Sequence, residues 1–242
     1  MAEIETFKAV QTYNVDFDRS LWVPVFMYNI EGLSEGIVVD AGLSNPGPDG
    51  LVAGAKVKGG TDLMVNEMKG LGIEPARVKT LILTHLHIDH STNFSLFPNA
   101  RIFVQRREME YAFDPLPTQK GVYVQDSLRR LEAENVELID GDKEIIRGVR
   151  VISVPGHTPG AQAVCVDTPA GTVAICGDSV PMYHNWFPSD ERYGSPVDLP
   201  RIPPGIHTDV EQCFESMNKI DREADIIVPS HDPAVAGGRP IP

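Results

Sequence analysis

Residues 85–90 read His-Leu-His-Ile-Asp-His, directly after the apolar run Leu81-Ile82-Leu83. Four of those six side chains are metal ligands by type. Neutral imidazole and carboxylate suit zinc and related divalent ions. Packing His85, His87, Asp89 and His90 together has no folding benefit unless something binds them, because buried polar groups without partners are costly. The pattern reads as a strand that ends in a catalytic metal site.

Further ligands lie downstream. His157 sits in Val154-Pro155-Gly156-His157-Thr158-Pro159-Gly160, after the strand-like Val149–Val154. Asp178 follows Cys176-Gly177 and the apolar run Thr172–Ile175. His231 lies in Pro229-Ser230-His231-Asp232, after Ile226-Ile227-Val228. Each candidate follows a short β-rich segment and opens a Gly/Pro/Ser loop. Loops at strand ends are where a rigid scaffold displays functional groups, so four such loops can converge on one edge of a sheet system.

Pattern reading places strands at 23–30, 36–40, 79–84, 101–104, 136–139, 149–154, 162–167, 172–176 and 225–228, with helices at 61–70, 105–112, 124–134 and 209–220. The last helix opens on Thr208-Asp209, a good N-cap pair, and carries Val210, Phe214, Met217 and Ile220 at helical spacing. Met64, Met68 and Leu71 read as helix core. Two proline-bearing stretches, 113–123 and 179–207, fit no element. Long irregular loops in compact domains are usually functional or disordered, and both are expected to wall a substrate pocket.

Composition sets bounds. The chain has 242 residues, 42% of them apolar, with no linker or repeat, so one domain over 1–242 is expected. A formal charge of −13 argues against a nucleic-acid partner and favours a neutral small molecule. No apolar run approaches the ~20 residues of a membrane span, and no basic-then-apolar segment opens the chain. Cys165, Cys176 and Cys213 are scattered and odd in number, against a disulfide framework. A cytoplasmic location fits these features. Exposed loops and aromatic residues are compatible with a homodimer.

The order His-x-His-x-Asp-His, Gly-His, Gly-Asp and a final His resembles the metallo-β-lactamase superfamily, from Asp40 to His231. The resemblance implies a four-layer αβ/βα sandwich of the α/β class and two divalent metal ions, zinc foremost, with manganese, iron and cobalt as alternatives. It implies that His85, His87 and His157 hold one ion, that Asp89, His90 and His231 hold the other, and that Asp178 bridges them. Side chains two apart in an extended segment point the same way, which suits His85 and His87 reaching one ion while Asp89 and His90 turn to another. Val38-Val39-Asp40-Ala41-Gly42 resembles an early family strand whose Asp supports a ligand from behind. A hydroxide between two such ions is a strong nucleophile, since coordination lowers the pKa of water toward about 7.

Within the superfamily, Pro-Gly-His-Thr-Pro-Gly, Gly-Asp and the stretch from Pro203-Pro204-Gly205-Ile206-His207 to His231-Asp232-Pro233 resemble the quorum-quenching N-acyl-homoserine lactonases. That implies hydrolytic opening of a small lactone ring. Those enzymes place a Tyr three residues after the bridging Asp, where this chain has Pro181. Tyr183 and His184 are the substitutes the sequence offers for stabilising the oxyanion, and Asp89 for returning the proton. Other outcomes stay open: hydrolysis of another cyclic ester, amide or thioester, a mono-iron persulfide dioxygenase-like enzyme keeping His85, His87, His157 and Asp178, or a non-catalytic metal-binding module. His207 reads as a surface or hydrogen-bonded histidine.

Overall fold

The computed structural model describes residues 3–13, 21–33, 35–52, 54–192 and 198–236. In chain order its elements are β1 (Glu3–Tyr13), β2 (Leu21–Glu31), β3 (Gly36–Val39), β4 (Leu51–Val52), β5 (Ala55–Lys58), α1 (Thr61–Gly70), β6 (Val78–Ile82), α2 (Ile88–Ser91), β7 (Arg101–Gln105), α3 (Arg106–Phe113), α4 (Gln125–Glu132), β8 (Val136–Ile139), β9 (Lys143–Ile146), β10 (Val149–Ser153), β11 (Gln162–Thr168), β12 (Gly171–Ile175), α5 (Tyr183–Trp186), α6 (Val210–Glu223) and β13 (Ile226–Val228). They form an eight-stranded sheet in the order β4-β5-β1-β2-β3-β6-β7-β8 and a five-stranded sheet in the order β13-β12-β11-β10-β9.

Period-two alternation builds the layers. In β3, Ile37 and Val39 face the space between the sheets, and Val38 faces outward. In β11, Val164 and Val166 point inward, and Ala163 and Cys165 point to the other face. The inner core also takes Phe26, Ile82, Phe103, Val151, Val173 and Ile175. Met64 and Met68 of α1, Met109 of α3 and Leu131 of α4 pack on the outer face of the first sheet. Met217 and Ile220 of α6 cover the outer face of the second. Helix, sheet, sheet, helix is the expected four-layer sandwich. Each fully buried aliphatic side chain contributes roughly 1.5–3 kcal/mol relative to exposure.

The predicted strands and helices all form, with ends shifted by a few residues. Asp209 caps α6, its carboxylate accepting from the Gln212 N–H at 3.0 Å. Several elements lie outside the predicted set. β1 pairs with β2 along its whole length, yet its sequence mixes charged and apolar residues without clean alternation. β9 has two apolar residues, too few for a periodic signal, and is defined by its pairing with β10. Leu71 ends α1 rather than filling its core, and it is exposed with Val210. The three cysteines are buried and unpaired.

What positions the site is strand direction. β3, β6 and β7 run parallel, as do β12 and β13. Asp40 directly follows β3, His85 follows β6, Asp178 follows β12 and His231 follows β13. Ligands in open α/β sheets gather beyond the carboxyl ends of such strands.

Candidate metal centre

The segment after β6 is not extended throughout. His85 and His87 sit in a loop, and the chain then turns into α2, with His87 at its N-cap and Asp89 and His90 in its single turn. This turn, rather than strand alternation, separates Asp89 and His90 from the first two histidines. His157 stands between two glycines that allow close approach. A Cβ on Gly156, whose φ is 134°, would lie 2.4 Å from the Cys213 nitrogen, and one on Gly160 would lie 2.1 Å from the Glu108 nitrogen. Any side chain at either position would push the His157 loop away from α6 or α3.

Two ligand groups result. His85, His87, His157 and Asp178 present atoms within 4.8 Å of one another, and so do Asp89, His90 and His231. Asp178 joins them. Its Oδ2 lies 3.4 Å from His157 Nε2 and 4.0 Å from His85 Nε2, while its Oδ1 lies 3.0 Å from His231 Nε2 and 3.2 Å from His90 Nε2. Ser230 donates its hydroxyl to the same Oδ1 at 2.6 Å. Asp89 Oδ2 lies 3.6 Å from His231 Nε2 and 3.7 Å from His90 Nε2.

Hydrogen bonds behind the rings decide which nitrogen faces inward. His157 Nδ1 is 2.7 Å from the Ile206 carbonyl, and His231 Nδ1 is 2.8 Å from the Pro24 carbonyl. A carbonyl only accepts, so both Nδ1 atoms carry a proton, and each Nε2 is the atom left to ligate. His90 Nδ1 meets Asp40 Oδ2 at 2.8 Å, with the same consequence. Thr84 Oγ1 donates to Asp40 Oδ2 at 2.9 Å, so it accepts from His85 Nδ1 at 3.1 Å. His87 alone turns its Nδ1 inward, 3.0 Å from His157 Nε2.

Asp40 therefore organises two ligands. Its Oδ1 also accepts from the Thr84 N–H at 2.8 Å. It has a φ of 59°, the one positive value outside glycine among the described residues. Such strain persists where the surroundings over-determine it.

The centre is buried and charged. Burial pushes His85 and His87 well below the ordinary imidazole range and His157 below it. His90 and His231 are also pulled down by burial, but the facing carboxylates outweigh it and raise both: Asp89, Asp178 and Asp40 around His90, Asp178 and Asp89 around His231. Burial alone would raise Asp178, yet His231, His90 and His157 hold it well below the carboxylate range. The inward Nε2 atoms of His85 and His90 are buried without a hydrogen-bond partner. Inward lone pairs, buried unpartnered nitrogens and a shared anionic carboxylate fit two divalent cations.

All seven expected ligands thus come together. Tyr183 and His184 are in neither ligand group. The Tyr183 hydroxyl donates to the Ile227 carbonyl at 3.2 Å and its N–H to Asp232 at 2.8 Å, because α5 lies against β13. His184 is half-buried in the same turn, and His207 meets the Pro204 carbonyl through Nδ1 at 2.9 Å. Both unassigned stretches do touch the centre. Gln119 donates from Nε2 to the His157 carbonyl at 3.0 Å, and the Tyr123 ring stands edge-on to His87 at 4.8 Å. From the other stretch comes Ile206, with its carbonyl on His157 and its side chain exposed. Sequence reasoning missed Glu108, Gln119, Tyr123, Thr84 and the Pro24 carbonyl, all distant in sequence from most of what they support. One available signal was Glu108, which shares the buried face of α3 with Met109 and Ala112.

Residues 21–231 match the metallo-beta-lactamase superfamily, and the chain belongs to it. It is similar to the N-acyl homoserine lactonase of Bacillus thuringiensis, 33% identical over 171 residues that make up 66% of each chain. The N-acyl homoserine lactonase AttM of Azorhizobium caulinodans is 36% identical over 132 residues, 50% of this chain and 49% of that one. The chain therefore spans just under two thirds of the first of these relatives and about half of the second. Among solved structures, an N-acyl homoserine lactone hydrolase with the product N-hexanoyl-L-homoserine bound at the catalytic metal center has a TM-score of 0.76 at 25% identity, covering 95% of this chain and 93% of that one. A dizinc quorum-quenching lactonase shares the fold, with a TM-score of 0.67 at 17% identity over 91% of this chain and 76% of that one.

Proposed function

We propose that this protein is a metal-dependent hydrolase that opens the ring of an N-acyl-homoserine lactone or a related small lactone. The observation that carries the reading is Asp178, whose two oxygens face two separate ligand groups. Its relatives' activity toward acyl homoserine lactones supports the substrate class. His85, His87 and His157 would hold one ion and Asp89, His90 and His231 the other, with Asp178 between them. Two divalent ions, zinc by ligand type, would supply a hydroxide nucleophile at neutral pH and a Lewis acid for the carbonyl.

The protein's own residues do the rest. The outward hydrogen bonds of His90, His157 and His231 hold their rings in place before substrate arrives. Asp89 takes the proton given up when water becomes that hydroxide and returns it to the ring oxygen as the ester C–O bond breaks, so the product is a hydroxy acid. The exposed Ile206 and Leu116 side chains belong to the two stretches that touch the centre, and they suit an apolar acyl chain. The chain acts as one domain, and its free buried cysteines support a reducing, cytoplasmic setting. Among the described residues no helix is long and apolar enough to cross a membrane.

The test is hydrolysis of acyl-homoserine lactones of several chain lengths, simple lactones, a cyclic amide and a glutathione thioester, with metal content measured on the same sample. Lactone turnover with two ions per chain, lost on chelation, is the expected result. A single iron without turnover would overturn the reading. Two ions with thioester or amide cleavage alone would keep the chemistry and replace the substrate.

A further inference from the structure

We propose that Glu108, a carboxylate outside both ligand groups, is the positioning residue of the first ion, held by His85, His87 and His157, and has no comparable role for the second. The inference rests on the two-ion reading above.

Glu108 is fully buried on α3. Among the described residues no lysine or arginine pairs with it, and its oxygens are met by hydrogen-bond donors. Oε1 accepts from the Leu86 N–H at 3.0 Å and from the Tyr123 hydroxyl at 2.9 Å, and Oε2 accepts from the Thr158 hydroxyl at 2.5 Å. Burial raises its pKa, and those donors together with the Gly160 N–H offset part of that rise.

Each donor is attached to the first ligand group. Leu86 lies between His85 and His87. Thr158 follows His157. Tyr123 sets its ring edge-on to His87. One carboxylate therefore ties the loop after β6 to the loop after β10, across 50 residues of sequence to Thr158. Gly160 permits the contact, since a Cβ there would strike the Glu108 backbone. The second group is anchored directly by Asp40 behind His90 and the Pro24 carbonyl behind His231, and Asp40 reaches the first group only through Thr84 and His85. None of the hydrogen bonds to Glu108 involves α2 or the loop after β13.

Partners behind metal ligands typically set affinity by roughly 10–100-fold. Cobalt(II) titration of the purified full chain, followed by its visible absorption, reads this directly. Wild type should bind two ions. Glu108→Gln keeps the shape and most hydrogen bonds, and Glu108→Leu keeps neither charge nor acceptor. Both should weaken one ion by about 10–100-fold, Leu more than Gln, and leave the other within about threefold. Two backgrounds assign the ion. Added to His231→Ala, Glu108→Gln should weaken the ion that remains; added to His157→Ala, it should not. Tyr123→Phe and Thr158→Val each remove one donor, and a smaller loss of the same single ion is expected should the Glu108 variants not fold. Equal weakening in both backgrounds, or none, would overturn the proposal while leaving the two-ion reading intact. A wild type that binds fewer than two ions would overturn both.

Discussion

The two ligand groups meet at Asp178, yet they are held by different parts of the molecule. The second group leans on the sandwich itself. His231 is anchored to a carbonyl of β2, and His90 to Asp40 at the end of β3. The first group leans on what is laid over the sandwich. His157 is anchored to Ile206 and Gln119, and His87 faces Tyr123, all from connecting stretches, while Glu108 on an outer helix ties its loops together. Sheet strands are the stiffest frame a fold offers, and loops vary and move most. One ligand group is thus built into the scaffold, and the other depends on the connecting stretches laid over it.

The largest effect should come from erasing the comparison. Asp178→Ala removes the shared oxygens and leaves five imidazoles without the anion that charges the centre. Both ions should be lost in cobalt(II) titration. Loss of several kcal/mol of charge stabilisation should lower kcat/KM for a lactone by on the order of 10³-fold or more. A variant that kept two ions and most of its activity would end the shared-carboxylate account.

Next is the scaffold side. Asp40→Ala leaves His90 Nδ1, the Thr84 hydroxyl and the Thr84 N–H without their acceptor. Buried donors left unpaired cost about 1–3 kcal/mol each. The second ion should weaken by roughly 10–100-fold and the first by less, because His85 feels Asp40 only through Thr84, and thermal unfolding of the metal-free protein should come at a lower temperature. Asp40→Asn tolerates the positive φ and should recover much of the fold stability but less of the affinity. Equal recovery of both would mean that the Asp40 charge is irrelevant to the metal.

This division also explains what could be read in advance. The scaffold side is legible because it is periodic and local. The unbroken apolar runs Ile37-Val38-Val39 and Val164-Cys165-Val166 announce strands buried on both faces, and a ligand a few residues past each strand end is a short-range pattern. His85 through His90, His157, Asp178 and His231 came from that logic. The turn of α2 did not, because four residues cannot display a helical period. The supports of the first group are illegible for a different reason. Gln119 and Tyr123 lie in a proline-bearing stretch with no period. Glu108 looks like one more charge in Arg106-Arg107-Glu108; its place on the face of Met109 and Ala112 signals burial, and the packing of α3 onto the His157 loop shows what it holds. Tyr183 shows the converse: nearness to Asp178 in sequence suggested chemistry, but the turn of α5 carries its hydroxyl to the β13 backbone.

On the overlay side a milder change is expected from Gln119→Leu. Gln119 is almost wholly buried and holds the His157 carbonyl, and its side chain also neighbours His87. Leucine fills the volume and removes the bond to the His157 carbonyl. The first ion should weaken by about tenfold and the second should be unchanged. Weakening of the second instead would break the division between scaffold and overlay.

Tyr183→Phe should do least. Its hydroxyl is committed to the Ile227 carbonyl, a bond worth about 1 kcal/mol net, so the variant should unfold at a slightly lower temperature. Neither ion should change affinity, and kcat/KM should fall by no more than about fivefold, the equivalent of that one bond. A fall of about 100-fold with both ions retained would mean that the hydroxyl leaves Ile227 and reaches the substrate during turnover. The stretch over the site would then take part in the chemistry as well as in holding the first ion, and the comparison would have to be redrawn with both regions catalytic.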